Sequence, residues 1–189
     1  MKTKSLLVLA AGLAFSAATM ANTLTFQGVT FNTYAVDSDT LKLEILNAPS
    51  ATGNWTGVNF LSAFEIKDIG TVTGATIASG PGTFSATVIN GLSANVGCAT
   101  GGTPGACFTG TPITLTNSMS WNIDFTGSSL SFDAPHLKVQ FLESATQDKA
   151  TGDLLSLTIP VPEPETYAMM LAGLGLLGAI ARRRKASQQ

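Results

Sequence analysis

Histidine is nearly absent. The chain of 189 residues has one, His136, in Asp133-Ala134-Pro135-His136-Leu137. A Ser-His-Asp arrangement would have to use it, with Asp133 or Asp124 as orienter, and no G-x-S-x-G elbow supplies the nucleophile. Its setting suits a polar residue at a turn that enters a strand. Cysteine is scarce as well, with Cys98 and Cys107 alone. Zinc needs three or four converging His, Cys or carboxylate ligands, so no zinc site is expected. Base is confined to the two ends. Lys2, Lys4, Arg182, Arg183, Arg184 and Lys185 flank a chain whose other bases are Lys42, Lys67, Lys138 and Lys149. Those four lysines stand against twelve acids between Asp37 and Glu165, a net of −8. So acidic a middle has no electrostatic footprint for nucleic acid. It suits an exported protein that must stay soluble. Amphipathic helical periodicity is also missing from the interior, which excludes helix bundles.

The two ends carry addresses. Met1 to Ala21 reads as a secretory signal peptide. Lys2 and Lys4 form its basic start, Leu6 to Phe15 a short apolar run, and Thr19-Met20-Ala21 a small-residue cleavage site. The mature chain is expected to begin at Asn22, which makes signal peptidase and the Sec export machinery expected partners. At the other end, Tyr167 to Ala181 holds no charged residue. As a helix it would span about 22 Å, short of a typical hydrocarbon core of about 30 Å. Snorkelling arginines and local thinning let it cross as a short transmembrane helix. Arg182, Arg183, Arg184 and Lys185 hold the cytoplasmic side, so Glu163 and Glu165 face out. Pro162 and Pro164 keep the chain extended just outside the membrane, in the form a protease can grip.

A Pro162-Glu163-Pro164 triplet, an apolar helix and a basic stop, in that order over Val161–Lys185, resemble the PEP-CTERM sorting signal of Gram-negative bacteria. The resemblance implies recognition by exosortase, a membrane protease-transpeptidase. It further implies an inner-membrane intermediate, then the cell surface or extracellular matrix, often in connection with exopolysaccharide and biofilm. Gly173-Leu174-Gly175-Leu176-Leu177-Gly178 spells GxGxxG, but inside an apolar helix and not after a strand. It reads as small residues for close helix packing, not as a nucleotide loop.

Residues 22–160 are left for one domain. Strand patterns recur at Leu24–Phe31, Leu41–Ile45, Phe60–Ile69, Phe84–Ile89, Met119–Phe125, Leu130–Phe132, Leu137–Phe141 and Leu154–Ile159. In Phe60–Ile69, which alternates from Ala63 onward, Phe64, Ile66 and Asp68 share a face. Met119-Ser120-Trp121-Asn122-Ile123-Asp124-Phe125 is the clearest, with four apolar side chains at period two, so Trp121 is expected in the core. Residues 142–152 offer a turn of helix at most. The expectation is an all-β fold, a single antiparallel β-sandwich, jelly-roll-like. Cys98 and Cys107 enclose a Gly- and Pro-rich loop and are expected to pair after export. The rival reading, a metal or redox pair, lacks the CxxC spacing.

Four features are candidates for function. Glu44, Glu65, Asp68, Asp124 and Asp133 could supply paired carboxylates for glycoside hydrolysis. Glu44, Asp124 and Glu65 fall on strands, on what reads as the solvent face, where isolated acids are usually just solvated. Asp37 and Asp39, two apart in a loop, are weak calcium candidates, as are Asp148 and Asp153 around another loop. Asp in a turn usually serves the turn. Trp55, in a polar Gly-flanked loop, either stacks on a sugar ring or folds back over one end of the sandwich. Tyr34 would be its neighbour only if the fold brings them together. The reading is therefore a cofactor-free, non-catalytic exported protein with a structural or interaction role. A carbohydrate-binding module is the alternative, and a polysaccharide hydrolase is a third reading.

Overall fold

The computed structural model describes residues 21–88, 90–100, 105–161 and 170–178. The fold is antiparallel and built almost wholly of strands. These are β1 (Asn22–Phe26), β2 (Val29–Ala35), β3 (Thr40–Leu46), β4 (Phe60–Lys67), β5 (Thr71–Ser79) and β6 (Ser85–Val88). They continue with β7 (Asn90–Ser93), β8 (Gly97–Thr100), β9 (Gly105–Thr114), β10 (Ser118–Ser128), β11 (His136–Leu142) and β12 (Leu155–Thr158). One five-stranded sheet runs β1-β2-β3-β10-β5 and a second runs β12-β11-β4-β9-β6, while β7 and β8 form a separate hairpin.

Period-two alternation decides which side of each strand is inside. In β3, Leu41, Leu43 and Ile45 are buried while Lys42 and Glu44 point the other way. In β10, Met119, Trp121, Ile123 and Phe125 do the same, and β11 buries Leu137, Val139 and Phe141. The inner faces of the two sheets merge into one core. Aromatic rings bridge it. Phe64 of β4 stacks on Phe108 of β9 at 4.8 Å and meets Trp121 of β10 at 5.3 Å. Fully burying each such side chain is worth about 1.5–3 kcal/mol. Trp121 also donates its indole N–H to the Pro81 carbonyl at 2.9 Å. That bond needs Gly80, because a Cβ there would lie 2.2 Å from the Trp121 ring at a φ of +147°.

The structure departs from the sequence reading in several places. β5 and β9 were not expected, nor was the β7–β8 hairpin. Leu130–Phe132 is not a strand, whereas residues 143–152, read as a turn of helix at most, form bends and a turn in keeping with that reading. Asp68 does not continue the Phe64–Ile66 face; it sits in the β4–β5 turn with φ 61°.

The ladders are interrupted at one level of the second sheet. Ser62 is an extra residue in β4, where the register with β11 and with β9 both shift. Opposite it, Gly110, Thr111 and Pro112 of β9 also fall out of register. Proline is tolerated in a strand at such a bulge because no ladder bond is asked of it.

Candidate functional site

The outer face of the second sheet is polar, and part of it is roofed. Glu65 of β4 and Lys138 of β11 are opposite each other in register. The Lys138 Nζ lies 3.1 Å from Glu65 Oε2, and Glu65 has no exposed surface. The roof is the β7–β8 hairpin. Leu92 donates its backbone N–H to Glu65 Oε2 at 2.7 Å, and its carbonyl accepts from Lys138 at 3.4 Å. Leu92 packs with Ala63 and Cys107 in a second small apolar cluster. The Cys98–Cys107 disulfide, with Cα atoms 5.7 Å apart, fastens the hairpin to β9. Cys107 stands beside Glu65 in the β4–β9 register, so the bridge flanks Glu65 on the side away from Lys138. Glu65 Oε1 has no hydrogen-bond partner among the described residues.

Glu65 was read as a solvent-face acid, and the structure corrects this. Alternation places it on the outer face, as expected, but the hairpin then covers that face. His136, two residues before Lys138, opens β11 and borders the same patch. Its Nε2 lies 3.0 Å from Ser156 Oγ and its Nδ1 3.8 Å from Asp68 Oδ2. Burial, followed by the charges of Lys67 and Lys138, holds the imidazole below its ordinary pKa of 6.5, against the opposing pull of Asp68. The ring is therefore neutral at pH 7, and its contact with Asp68 is not an ion pair there.

The chain leaves the body at the edge of this sheet. β12 pairs with β11 alone. Among the described residues Ile159 is the last anchored one, with its side chain fully buried and its N–H donated to the Pro135 carbonyl at 2.9 Å. Pro160 and Val161 are exposed. Residues 170–178 are helical, and every one of them is exposed, Leu174, Leu176 and Leu177 among them. At 1.5 Å per residue this stretch is about 13 Å long. Among the described residues no helix is long and apolar enough to cross a membrane. The other residues of the expected span Tyr167–Ala181 lie outside the described residues. The Met1–Met20 part of the leader, the Pro162-Glu163-Pro164 triplet and the Arg182–Lys185 stop lie outside the described residues.

Residues 160–185 match the PEP-CTERM protein-sorting motif. The match begins one residue after Ile159, where the body ends. A PEP-CTERM signal implies an exported protein, processed by exosortase and carried through the membrane to the cell surface. The match covers the tail and not the β body. No curated protein and no solved structure matches the chain.

The body in front of the PEP-CTERM tail rearranges the other candidates. Trp55 does not present a sugar platform. It is fully buried, its indole N–H donates to the Asp153 carbonyl at 2.7 Å, and its ring meets Phe26, Phe31 and Phe141 edge-on. The polar, Gly-flanked loop folds back and closes one end of the core between the two sheets, the second of the two expectations. Tyr34 is not its neighbour; its hydroxyl donates to Glu44 Oε2 at 2.8 Å.

Asp37 and Asp39 occupy the β2–β3 turn. Asp37 Oδ1 accepts the N–H of Asp39 at 3.1 Å and of Thr40 at 2.7 Å, a turn-making use of the side chain. Those bonds lower the Asp37 pKa, while Asp39 is raised by its hydrogen bond to Asp37 and by that charge. Among the described residues no three His, Cys, Asp or Glu side chains converge as a metal site would require. Asp148 and Asp153 are not brought into one either. The remaining acids have partners: Glu44 with Lys42 at 2.6 Å, Asp124 with Thr40 at 2.9 Å, Asp133 with Ser131 at 2.9 Å. The glycines of GxGxxG lie within the exposed helix, and a Cβ at Gly173, Gly175 or Gly178 would meet nothing within 4 Å. The buried Glu65–Lys138 pair was missed. The partial signal was the cysteine pair, since a bridge between Cys98 and Cys107 holds Cys98 of the hairpin against β9.

Proposed function

We propose that this is an exosortase-sorted protein that leaves its tail at the inner membrane and acts at the cell surface or in the extracellular matrix. Its role there is structural or interactive, linked to exopolysaccharide or biofilm, and not catalytic. One observation carries the reading: the sorting motif at residues 160–185 follows directly on Ile159, the last of the described residues fixed to the body. The tail thus leaves a finished fold and can be cut without unravelling it. The signal peptidase and Sec steps, and a transient stay in the inner membrane, belong to the same reading.

We read the body as a jelly-roll-like sandwich. The orders β3-β10-β5 and β4-β9-β6 support this, because the chain alternates between sheets from β3 to β6 and again from β9 to β10. The non-catalytic role is supported by Glu44, Glu65, Asp124 and Asp133, each of which is engaged with a neighbour. The carbohydrate-binding alternative loses Trp55, the residue that suggested it.

The test is a replacement of Pro162-Glu163-Pro164 by three alanines in an exosortase-bearing host. The expected outcome is accumulation of uncut protein in the inner-membrane fraction. An extracellular yield equal to that of the unaltered chain would contradict the reading.

A further inference from the structure

The interrupted ladders of the second sheet open a groove of about 500 Å³ on its outer face, beside the hairpin roof. Its floor is Ser62, the bulged residue of β4, with Thr109 of β9 and Gln140 of β11. The tip of the β7–β8 hairpin, at Asn95 and Val96, makes one wall, and the loop after β11 makes the other. Gln140 is 2% exposed and ties the two walls to the sheet. Its Nε2 donates to the Asp148 carbonyl at 3.2 Å and to the Ala94 carbonyl at 3.4 Å. Gly110 lets the bulge form, since a Cβ there would lie 2.5 Å from the Thr83 carbonyl oxygen. Two neighbouring strands thus give up ladder bonds at one level, and bulges of this kind commonly re-aim side chains next to binding sites.

The lining selects a chemical class. It includes one carboxylate, Asp148, and no lysine or arginine, so it suits neither a phosphate nor a uronate. A single carboxylate is too few for a metal ion. Gln140, Gln147 and Ser62 spend their donors within the protein, so the exposed Asn95 amide, with the Thr109 hydroxyl beside it, carries the donor-and-acceptor pairing that vicinal hydroxyls need. Val96, which is exposed, and the half-buried Pro112 add apolar surface for the C–H faces of sugar rings. The floor is the face of a sheet and not its edge, which disfavours an added peptide strand. The volume lies within the range of small-ligand sites. We propose that this groove binds a short run of a neutral sugar polymer. The site lies on the body and does not depend on how the tail is processed.

The test is calorimetric titration of the full chain in detergent micelles. The probes are cellotetraose and maltotetraose, with tetragalacturonate as the acidic comparison. Saturable binding of at least one neutral tetrasaccharide is expected, with none of the uronate. Asn95→Ala and Ala145→Leu, both at exposed positions, should each weaken that binding at least fivefold while leaving the melting temperature unchanged. The proposal is overturned if neither neutral probe binds, if the uronate binds more tightly, or if both variants bind as the parent does. None of these outcomes bears on the sorting motif, which the alanine replacement of residues 162–164 tests separately.

Discussion

Glu65 and Lys138 face each other across the β4–β11 ladder with 3.1 Å between their charged groups, under a hairpin held down by Cys98–Cys107. A carboxylate with no exposed surface and one unpartnered oxygen is stable only while its counter-charge stays. Lys138→Met should therefore destabilise the fold by about 3–5 kcal/mol. The double change Glu65→Leu with Lys138→Met should recover most of that loss. Urea unfolding of the single and double variants checks it. A single variant as stable as the parent would show that the pair is not buried in solution.

The bridge should matter in proportion to the loop that it closes. Cys98 and Cys107 are nine residues apart, and closing so short a loop stabilises by about 3 kcal/mol in the chain-entropy model. Cys98→Ser with Cys107→Ser should lower the melting temperature. It should also raise amide exchange over residues 90–100 more than in the two main sheets, because the hairpin is hydrogen-bonded in register only to itself. Equal exchange in both would contradict the roofing role.

How much of this was legible in the sequence depends on what each residue answers to. β3 and β10 were read correctly because period two is a local property, and Leu41, Leu43, Trp121 and Ile123 carry it clearly. β9 was missed because Gly105, Ala106, Gly110 and Pro112 have the composition of a loop. Their small size serves close packing instead: a Cβ on Gly105 would lie 2.6 Å from Lys67 Cβ. Alternation gave the side of the sheet on which Glu65 lies. It could not show that another part of the chain would cover that side. For the same reason it left two expectations open for Trp55, since Phe26, Phe31 and Phe141, which decide between them, come from distant strands. The sorting signal was readable because it is a linear address whose parts act in order and not through a fold.

Trp55 supports the end of the sandwich, so its loss should be felt as stability. Trp55→Ala should cost about 3–5 kcal/mol, as large aromatic deletions in cores do. Trp55→Phe should cost less, keeping the ring contacts but losing the bond to the Asp153 carbonyl. Differential scanning calorimetry separates the two. An alanine variant with the parent melting temperature would contradict the buried placement.

His136 gives the fold a dependence on pH. Its folded pKa lies below the ordinary value of 6.5, chiefly through burial. At pH 8 both folded and unfolded states hold it neutral, and it contributes nothing to the pH dependence. As the pH falls below 6.5 the unfolded state takes up the proton first, so stability declines until the folded pKa is passed. His136→Gln should flatten this part of the melting temperature profile between pH 7 and pH 5. An NMR titration placing the ring above 6.5 would reverse the sign and contradict the burial effect.

Intact-mass spectrometry of the protein recovered from the medium or the cell surface tests the export reading most directly. The expected mass begins at Asn22, lacks the basic stop Arg182–Lys185 and is two hydrogens lighter for the Cys98–Cys107 bridge. A mass that retains both Met1–Ala21 and Arg182–Lys185 would contradict it.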